Sequence, residues 1–243
     1  MKLRARRNGK LFMTILALEF SSPQRSVAIA RAGRVPGEVI ETGAGLRPDQ
    51  KAGASSRQAG ATGAFSMIEA VLREAKLERE QIEILAVGLG PGSYTGVRVA
   101  LSMAQGWQLA RGAKLLGVSS MDCLAAQAQA EGIFGRVNVM VDAQRNEFYL
   151  ATYEISADGW NATGPLRIVT AGTIQSLAGA REILIGPEVT RWFPGGRTIF
   201  PRAAALARLA FQRDGFVAGE KLEPVYLREA NFVRVPARKP PVL

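Results

Sequence analysis

The sequence predicts an α/β protein made of two related subdomains. Two series of elements carry this reading: each opens on a pair of short strand-like runs joined by a turn, and each then alternates helical and strand patterns. Between them, the glycine-rich stretch GLGPGSYTG (residues 88–96) joins an apolar strand to a helix of small residues. Two units of this kind are expected to meet at a cleft, where ligands usually bind.

Residues 14–18 (TILAL) and 26–30 (SVAIA) are apolar and partly β-branched, and the Ser-Ser-Pro-Gln between them favours a turn, so they read as a hairpin. Residues 35–42 add a third strand, and the Gly- and Ser-rich residues 43–60 read as a loop or a poorly formed helix start. Phe65, Ile68, Val71, Leu72 and Ala75 recur at helical spacing and predict an amphipathic helix over 65–77. A buried strand follows at 82–87. Val97, Leu101, Ala104 and Leu109 mark the next helix, capped by Ser93 or Thr95 and closed by Gly112. Residues 114–118 form a strand, and Ser119 or Ser120 caps a helix running to about Ala130. The second series pairs 137–142 with 147–155 across the turn 143–146, continues through strands at 166–170 and 182–185, and ends in a helix over 201–211. The predicted divisions are a basic extension (1–12), a first subdomain (13–118), a second (119–222) and an extended tail (223–243). The helix near 201–212 is free to pack on the first subdomain.

Composition removes several chemistries. The chain has 243 residues, 47% hydrophobic, and 31 Lys plus Arg against 21 Asp plus Glu give a formal charge of +10, which favours polyanionic partners. Part of that excess lies in residues 1–10 and 234–239, so docking patches and solvated tails both remain open. The single cysteine, Cys123, excludes an internal disulfide and is expected to pack in the core. The absence of histidine removes Ser-His-Asp and Cys-His catalysis, HExxH chemistry and most zinc sites, so no metal is expected. Residues 11–20 follow a basic start as in a signal peptide, but Glu19 interrupts the run and no small-x-small site follows. No apolar run approaches the ~20 residues that span a bilayer, so the expected location is cytoplasmic.

The glycine-rich loop has the parts of an anion site: glycines that allow close backbone approach and a helix start with unpaired amides. The Walker pattern fails because Val97-Arg98 follow Gly96 where Lys-Ser/Thr is required. G-x-G-x-x-G fails too, since Ser93 and Thr95 stand at the third glycine position in the two possible frames. Spacing alone leaves a packing turn and a ligand loop equally open.

In order, TILALEFSS (14–22), GLGPGSYTGVRVALSMAQGWQLA (88–110), LLGVSSMDCLA (115–125), VDAQRNEFYLATY (141–153) and PVYLRE (224–229) resemble the TsaB family, over nearly everything after Met13. The resemblance implies two actin-like (ASKHA, ribonuclease H-like) subdomains, each a mixed sheet flanked by helices. It implies a non-catalytic subunit, without cofactor, that heterodimerises with a TsaD-type catalytic subunit. That pair, with a TsaE-type ATPase in the larger complex, places threonylcarbamoyl on adenosine 37 of tRNA. A homodimer is open to the chain alone, and any tRNA contact is expected to be indirect or weak. The alternative is a self-sufficient ATP-dependent phosphotransferase of the sugar-kinase-like class.

The resemblance also assigns residues. The TsaD-like pattern has two histidines four apart where Ser120 and Leu124 stand here, so metal-dependent transfer is not expected of this chain. Glu19 replaces a usual aspartate and, with Ser21 and Asp142, marks a vestigial nucleotide site. The longer Glu19 carboxylate reads better as a partner of the adjacent turn or backbone. Asp142 and Glu147 lie in a D-A-R-x-x-E-x-Y-like segment with Gln144 at the arginine position. The loop residues Gly88, Gly90, Gly92, Ser93, Thr95 and Gly96 are expected to set the angle of the following helix. Met67, Ala70, Val71 and Glu74, with Arg98, Ser102, Met103, Gly106 and Trp107, are the subunit-interface candidates. Ala100, Ala104 and Ala110 keep that second helix slim, while Val97, Leu101 and Leu109 read as the chain's own core. A histidine usual near Gly60 is missing from GATGAF.

Overall fold

A computed structural model describes residues 13–42 and 55–227, with side chains from residue 63 in the first helix. The predicted basic extension 1–12, residues 43–54 and the predicted tail from residue 228 lie outside the described residues.

Sheet A contains β1 (Thr14–Glu19), β2 (Gln24–Arg31), β3 (Arg34–Thr42), β4 (Ile84–Gly88) and β5 (Lys114–Val118) in the order β3-β2-β1-β4-β5. The first three strands form an antiparallel meander, while β4 and β5 continue parallel to β1. Alternate residues of β1 supply opposite cores: Leu16 and Leu18 face one side, Ile15 and Ala17 the other. Thr14–Glu19, within the signal-like run, is thus the fully buried middle strand.

On the first face lie α1 (Ser55–Ala75) and α2 (Tyr94–Arg111), packed on Leu16, Leu18, Val27, Ile29, Leu85 and Val87. Helix α1 begins ten residues before the predicted start, within the segment read as a loop or a poorly formed helix start. Glycine and serine lower helix propensity there, while from Ala64 onward the helix buries residues against sheet A. Phe65, expected on the apolar stripe, is 52% exposed, whereas Ile68, Val71 and Leu72 are buried.

Sheet B contains β6 (Gly135–Asp142), β7 (Glu147–Ile155), β8 (Trp160–Ala162), β9 (Arg167–Thr170), β10 (Ile183–Gly186) and β11 (Arg197–Thr198). Its order is β11-β10-β6-β7-β8, with β9 also paired to β7. Helix α3 (Ser120–Ala130) covers one face, with Leu124 and Ala128 against Val137 and Val139. Helices α4 (Ala171–Gly179) and α5 (Val189–Trp192) lie on the other side, against Met140, Phe148 and Leu184. Helix α4 and the short β8 and β11 were not legible in the sequence; α4 lacks charged residues and buries only Ile174.

Helix α6 (Ala203–Phe211), late in the sequence, packs on the second face of sheet A. Ala17, Ala28, Ala30 and Ala86 on the strands meet Ala203, Ala207 and Ala210 on the helix, and small residues on both sides permit close approach. Its first amides are satisfied by sheet A: Ala203 N donates to Ser26 Oγ at 2.8 Å and Ala204 N to Glu38 Oε1 at 2.9 Å. Arg202 pairs with the same Glu38. Asp122 of α3 accepts from Tyr153 Oη of β7 at 3.0 Å and from Arg213, just after α6, at 2.7 Å. It therefore ties sheet B to the helix that sits on sheet A.

Candidate functional site

The glycine-rich loop lies directly on the turn that ends β1. Ser93 N donates to Ser21 O at 2.7 Å, and a Cβ on Gly92 or Gly96 would collide with the carbonyl oxygen of Ser21 or Phe20. Glycine is required there because backbone meets backbone. Ser93 caps α2, its Oγ accepting from Gly96 N at 3.2 Å, while Thr95 is exposed in the first turn.

Much of the loop's amide set is already used within the chain. Leu89 N donates to Val118 O at 2.8 Å, Gly90 N to Ser120 Oγ at 3.1 Å, and Val97 N to Ser93 O at 3.0 Å, besides the Ser93 and Gly96 bonds. These bonds hold the loop's backbone against the turn after β1, the end of β5 and the start of α3.

Beneath the loop, Glu19 is fully buried. Its Oε1 accepts from Ser21 N at 2.9 Å and its Oε2 from Ser120 Oγ at 2.9 Å. Burial raises its pKa above the ordinary carboxyl value, against the opposing effect of its hydrogen bonds with Ser21 and Ser120. A Cβ on Gly88 would overlap this carboxylate. Ser120 also donates its backbone N to Gly90 O at 2.9 Å, so one serine joins α3, the loop and β1. Leu124, one turn on, is buried in the α3 core. Among the described residues no cluster of three His, Cys, Asp or Glu side chains could hold a metal.

Above the loop a cleft of about 1350 Å³ opens between the two sheets. Ser21 and Asp142 both line it, but Glu19 does not, so the three residues grouped as a nucleotide-site remnant do not share one space. Asp142 turns back to accept from Gln144 N at 2.7 Å. Gln144, Arg145 and Asn146 then take positive φ angles of 66°, 60° and 59°, a tight left-handed turn on the cleft rim.

Two aromatic–arginine groups on this cleft were not recognised from sequence. Arg98 lies 4.1 Å over the Tyr94 ring and donates from Nε to Tyr226 Oη at 3.0 Å, while Tyr94 and Tyr226 stand 6.0 Å apart. That hydrogen bond favours the charged form of Arg98 and raises its pKa. From sheet B, Arg191 lies 5.4 Å from the Trp192 ring centre. The available signal for the first group was Tyr226 within PVYLRE; nothing in the sequence paired it with Arg98.

The interface candidates separate by exposure. Met67 and Val71, named as contact residues, are 1% and 0% exposed within the core under α1, because that face of the helix covers sheet A. Ala104 and Ala100 are likewise buried. Glu74, Ser102 and Gly106 are exposed and Ala70 is half-buried, while Met103 and Trp107 pack at the edge of the core. Arg98 belongs to the cleft group just described. Val97 and Leu101 are core residues as expected, but Leu109 is 89% exposed at the end of α2.

Comparison with known proteins agrees with this architecture. The family model described as "TsaD: tRNA N6-adenosine threonylcarbamoyltransferase" matches residues 46–219. The chain is similar to the "tRNA threonylcarbamoyladenosine biosynthesis protein TsaB" of Escherichia coli, 29% identical over 180 residues and covering 67% of this chain and 78% of that one. The protein of the same name from Haemophilus influenzae is 26% identical over 200 residues, covering 71% of this chain and 82% of the other. The solved structure "YeaZ from Pseudomonas aeruginosa" superposes with a TM-score of 0.71 at 26% identity, covering 89% of this chain and all of that one. Two mixed sheets with flanking helices, the TsaD-type model match and these relatives together make the chain a member of the TsaB family, with its actin-like fold.

Proposed function

We propose that this protein acts in tRNA threonylcarbamoyladenosine biosynthesis as a non-catalytic subunit. It pairs with a TsaD-type catalytic subunit, with a TsaE-type ATPase in the larger assembly. The names carried by its relatives support the pathway. The observation that carries the non-catalytic reading is the use of Ser120: its hydroxyl joins Gly90 N to the buried Glu19 carboxylate, one turn before the core residue Leu124. Positions that the resemblance matches to metal ligands therefore serve packing and loop anchoring. The exposed Ser102 and Gly106 on α2, with Glu74 on α1, are the surface offered to the catalytic partner.

Reconstitution tests this reading. The chain alone should transfer no threonylcarbamoyl to tRNA, and a mixture with the TsaD-type subunit and the TsaE-type ATPase should do so only when the chain is present. Transfer by the chain alone overturns the proposal. Saturable binding of ATP and magnesium by the isolated chain, with phosphate transfer to a sugar, would instead support the phosphotransferase reading.

A further inference from the structure

We propose that Arg98 is the polar anchor of the α2 docking surface, held by Tyr94 and Tyr226 to receive one carboxylate side chain of the catalytic subunit. The proposal rests on the reading of α2 as the surface offered to that subunit, and it assigns the chemistry of the contact.

Tyr94, Arg98, Ser102 and Gly106 stand at four-residue intervals on α2 and all four are exposed, so they form one stripe along the helix. Ser102 is small and a Cβ at Gly106 meets nothing within 4 Å, which lets a neighbouring helix lie close to this part of the stripe. An element laid there meets Arg98 one turn beyond Ser102.

Arg98 is ordered before anything docks. Its guanidinium carbon lies 4.1 Å from the Tyr94 ring centre and 5.8 Å from that of Tyr226, and its Nε donates to Tyr226 Oη at 3.0 Å. Among the described residues neither Nη group has an acceptor. That pair of N–H groups is an edge that takes a carboxylate through two parallel hydrogen bonds. A side chain already held loses less entropy on docking, and arginine and tyrosine are residue types that concentrate binding energy at interfaces.

Tyr226 comes from outside α2, on a strap that follows this helix. Val217 N donates to Leu115 O at 3.0 Å, Gln105 and Gln108 of α2 hold Gly219 by its O and N at 2.8 and 2.7 Å, and Val225 N donates to Leu89 O at 2.9 Å. These bonds bring Tyr226 to Arg98, so Tyr226 is a positioning residue that acts through the guanidinium.

A protein carboxylate suits this setting better than an RNA phosphate. Along the stripe, Ser102 and Gly106 offer close packing and no further cation. On the cleft side, Glu41, Asp142 and Glu188 balance Arg25, Arg98 and Arg191, so no cationic track continues from Arg98 for a polyanion to follow.

Affinity for the cognate TsaD-type subunit, measured by titration calorimetry on the full chain, tests the anchor. Arg98→Ala should weaken binding about thirtyfold, the scale of an interface hot spot. Arg98→Lys keeps the charge without the planar fork and should recover only part of that loss. Tyr226→Phe keeps the ring and removes the acceptor of Nε; it should weaken binding about fivefold in the wild type and leave Arg98→Ala unaffected. Both side chains are exposed, so melting should stay at the wild-type value. Unchanged affinity in Arg98→Ala while Gly106→Arg abolishes binding overturns the anchor alone, whereas a wild type that does not bind the subunit overturns the reading of α2 and the anchor with it. Equal losses from Tyr226→Phe in both backgrounds overturn the anchor too. So does an Arg98→Ala chain that loses affinity for tRNA but keeps its affinity for the subunit.

Discussion

The carboxylate of Glu19 occupies the space that a side chain on Gly88 would need. These residues end neighbouring parallel strands, β1 and β4, and the carboxylate lies where it can bond both Ser21 N and Ser120 Oγ. Gly88→Ala should therefore expel a buried, hydrogen-bonded carboxylate and destabilise the protein by about 3 kcal/mol, combining overpacking with lost partners. Adding Glu19→Ala should recover part of that loss, a non-additivity readable as the shift in urea midpoints across a double-mutant cycle. Strictly additive losses would mean that the two positions do not compete for one space.

The same carboxyl gives a pH signature. Burial raises its folded-state pKa above the reference 4.5, so the folded protein binds the proton more tightly than the unfolded chain. Its favourable contribution is complete below the unfolded pKa and is lost as pH rises through the folded value. Stability measured against Glu19→Gln from pH 4.5 upward should show the wild type losing ground over that window. A difference that does not change with pH would place the carboxyl in water.

Cys123 is fully buried, and burial together with the neighbouring Glu19 and Asp122 carboxylates pushes its thiol pKa well above the usual range. Thiolate is the reactive form, so labelling by an aromatic disulfide reagent should proceed at the rate of protein opening. Rapid, stoichiometric labelling under native conditions would contradict the packing.

Asp122 should act as a tie between the two sheets. Asp122→Ala leaves Tyr153 and Arg213 without their shared acceptor and should cost about 2–4 kcal/mol, with Tyr153→Phe costing less because the ion pair to Arg213 survives. Calorimetric melting of the two variants gives the comparison; equal effects would remove Arg213 from the tie.

Gly106 separates folding from association. A Cβ there meets nothing within 4 Å, so Gly106→Arg should leave melting unchanged or raise stability by about 0.5–1 kcal/mol through reduced chain entropy. On the proposed interface it should abolish co-purification with the TsaD-type subunit. A stable variant that still co-purifies would move the interface off α2. The buried Ala104 offers no such separation, since arginine there would disrupt the core.

The short apolar runs in Thr14–Glu19 and Gln24–Arg31, the Ser93 and Gly112 caps and the glycine pattern of residues 88–96 made sheet A and α2 legible, because each is encoded over a few neighbouring positions. Helix α1 was legible only in its second half, since the glycines and serines of its first half lower local helix propensity. Met67, an interface candidate from sequence, is buried and Phe65, expected on the apolar stripe, is exposed, a rotation of the covered face that only packing against sheet A fixes.

What the sequence alone determined was the order of the longer strands and helices, the motif set of the family, and the removal of histidine and disulfide chemistry. All three are properties of residue identity and local spacing. Only the tertiary structure decided that Glu19 sits under the loop while Asp142 faces the cleft, and that Ser120 occupies the loop amide of Gly90. It alone joined Arg98 to Tyr226. These contacts span 101 and 128 residues of chain in the Glu19–Ser120 and Arg98–Tyr226 pairs, distances at which no local pattern specifies a partner. The packing of two sheets and their crossing helices does.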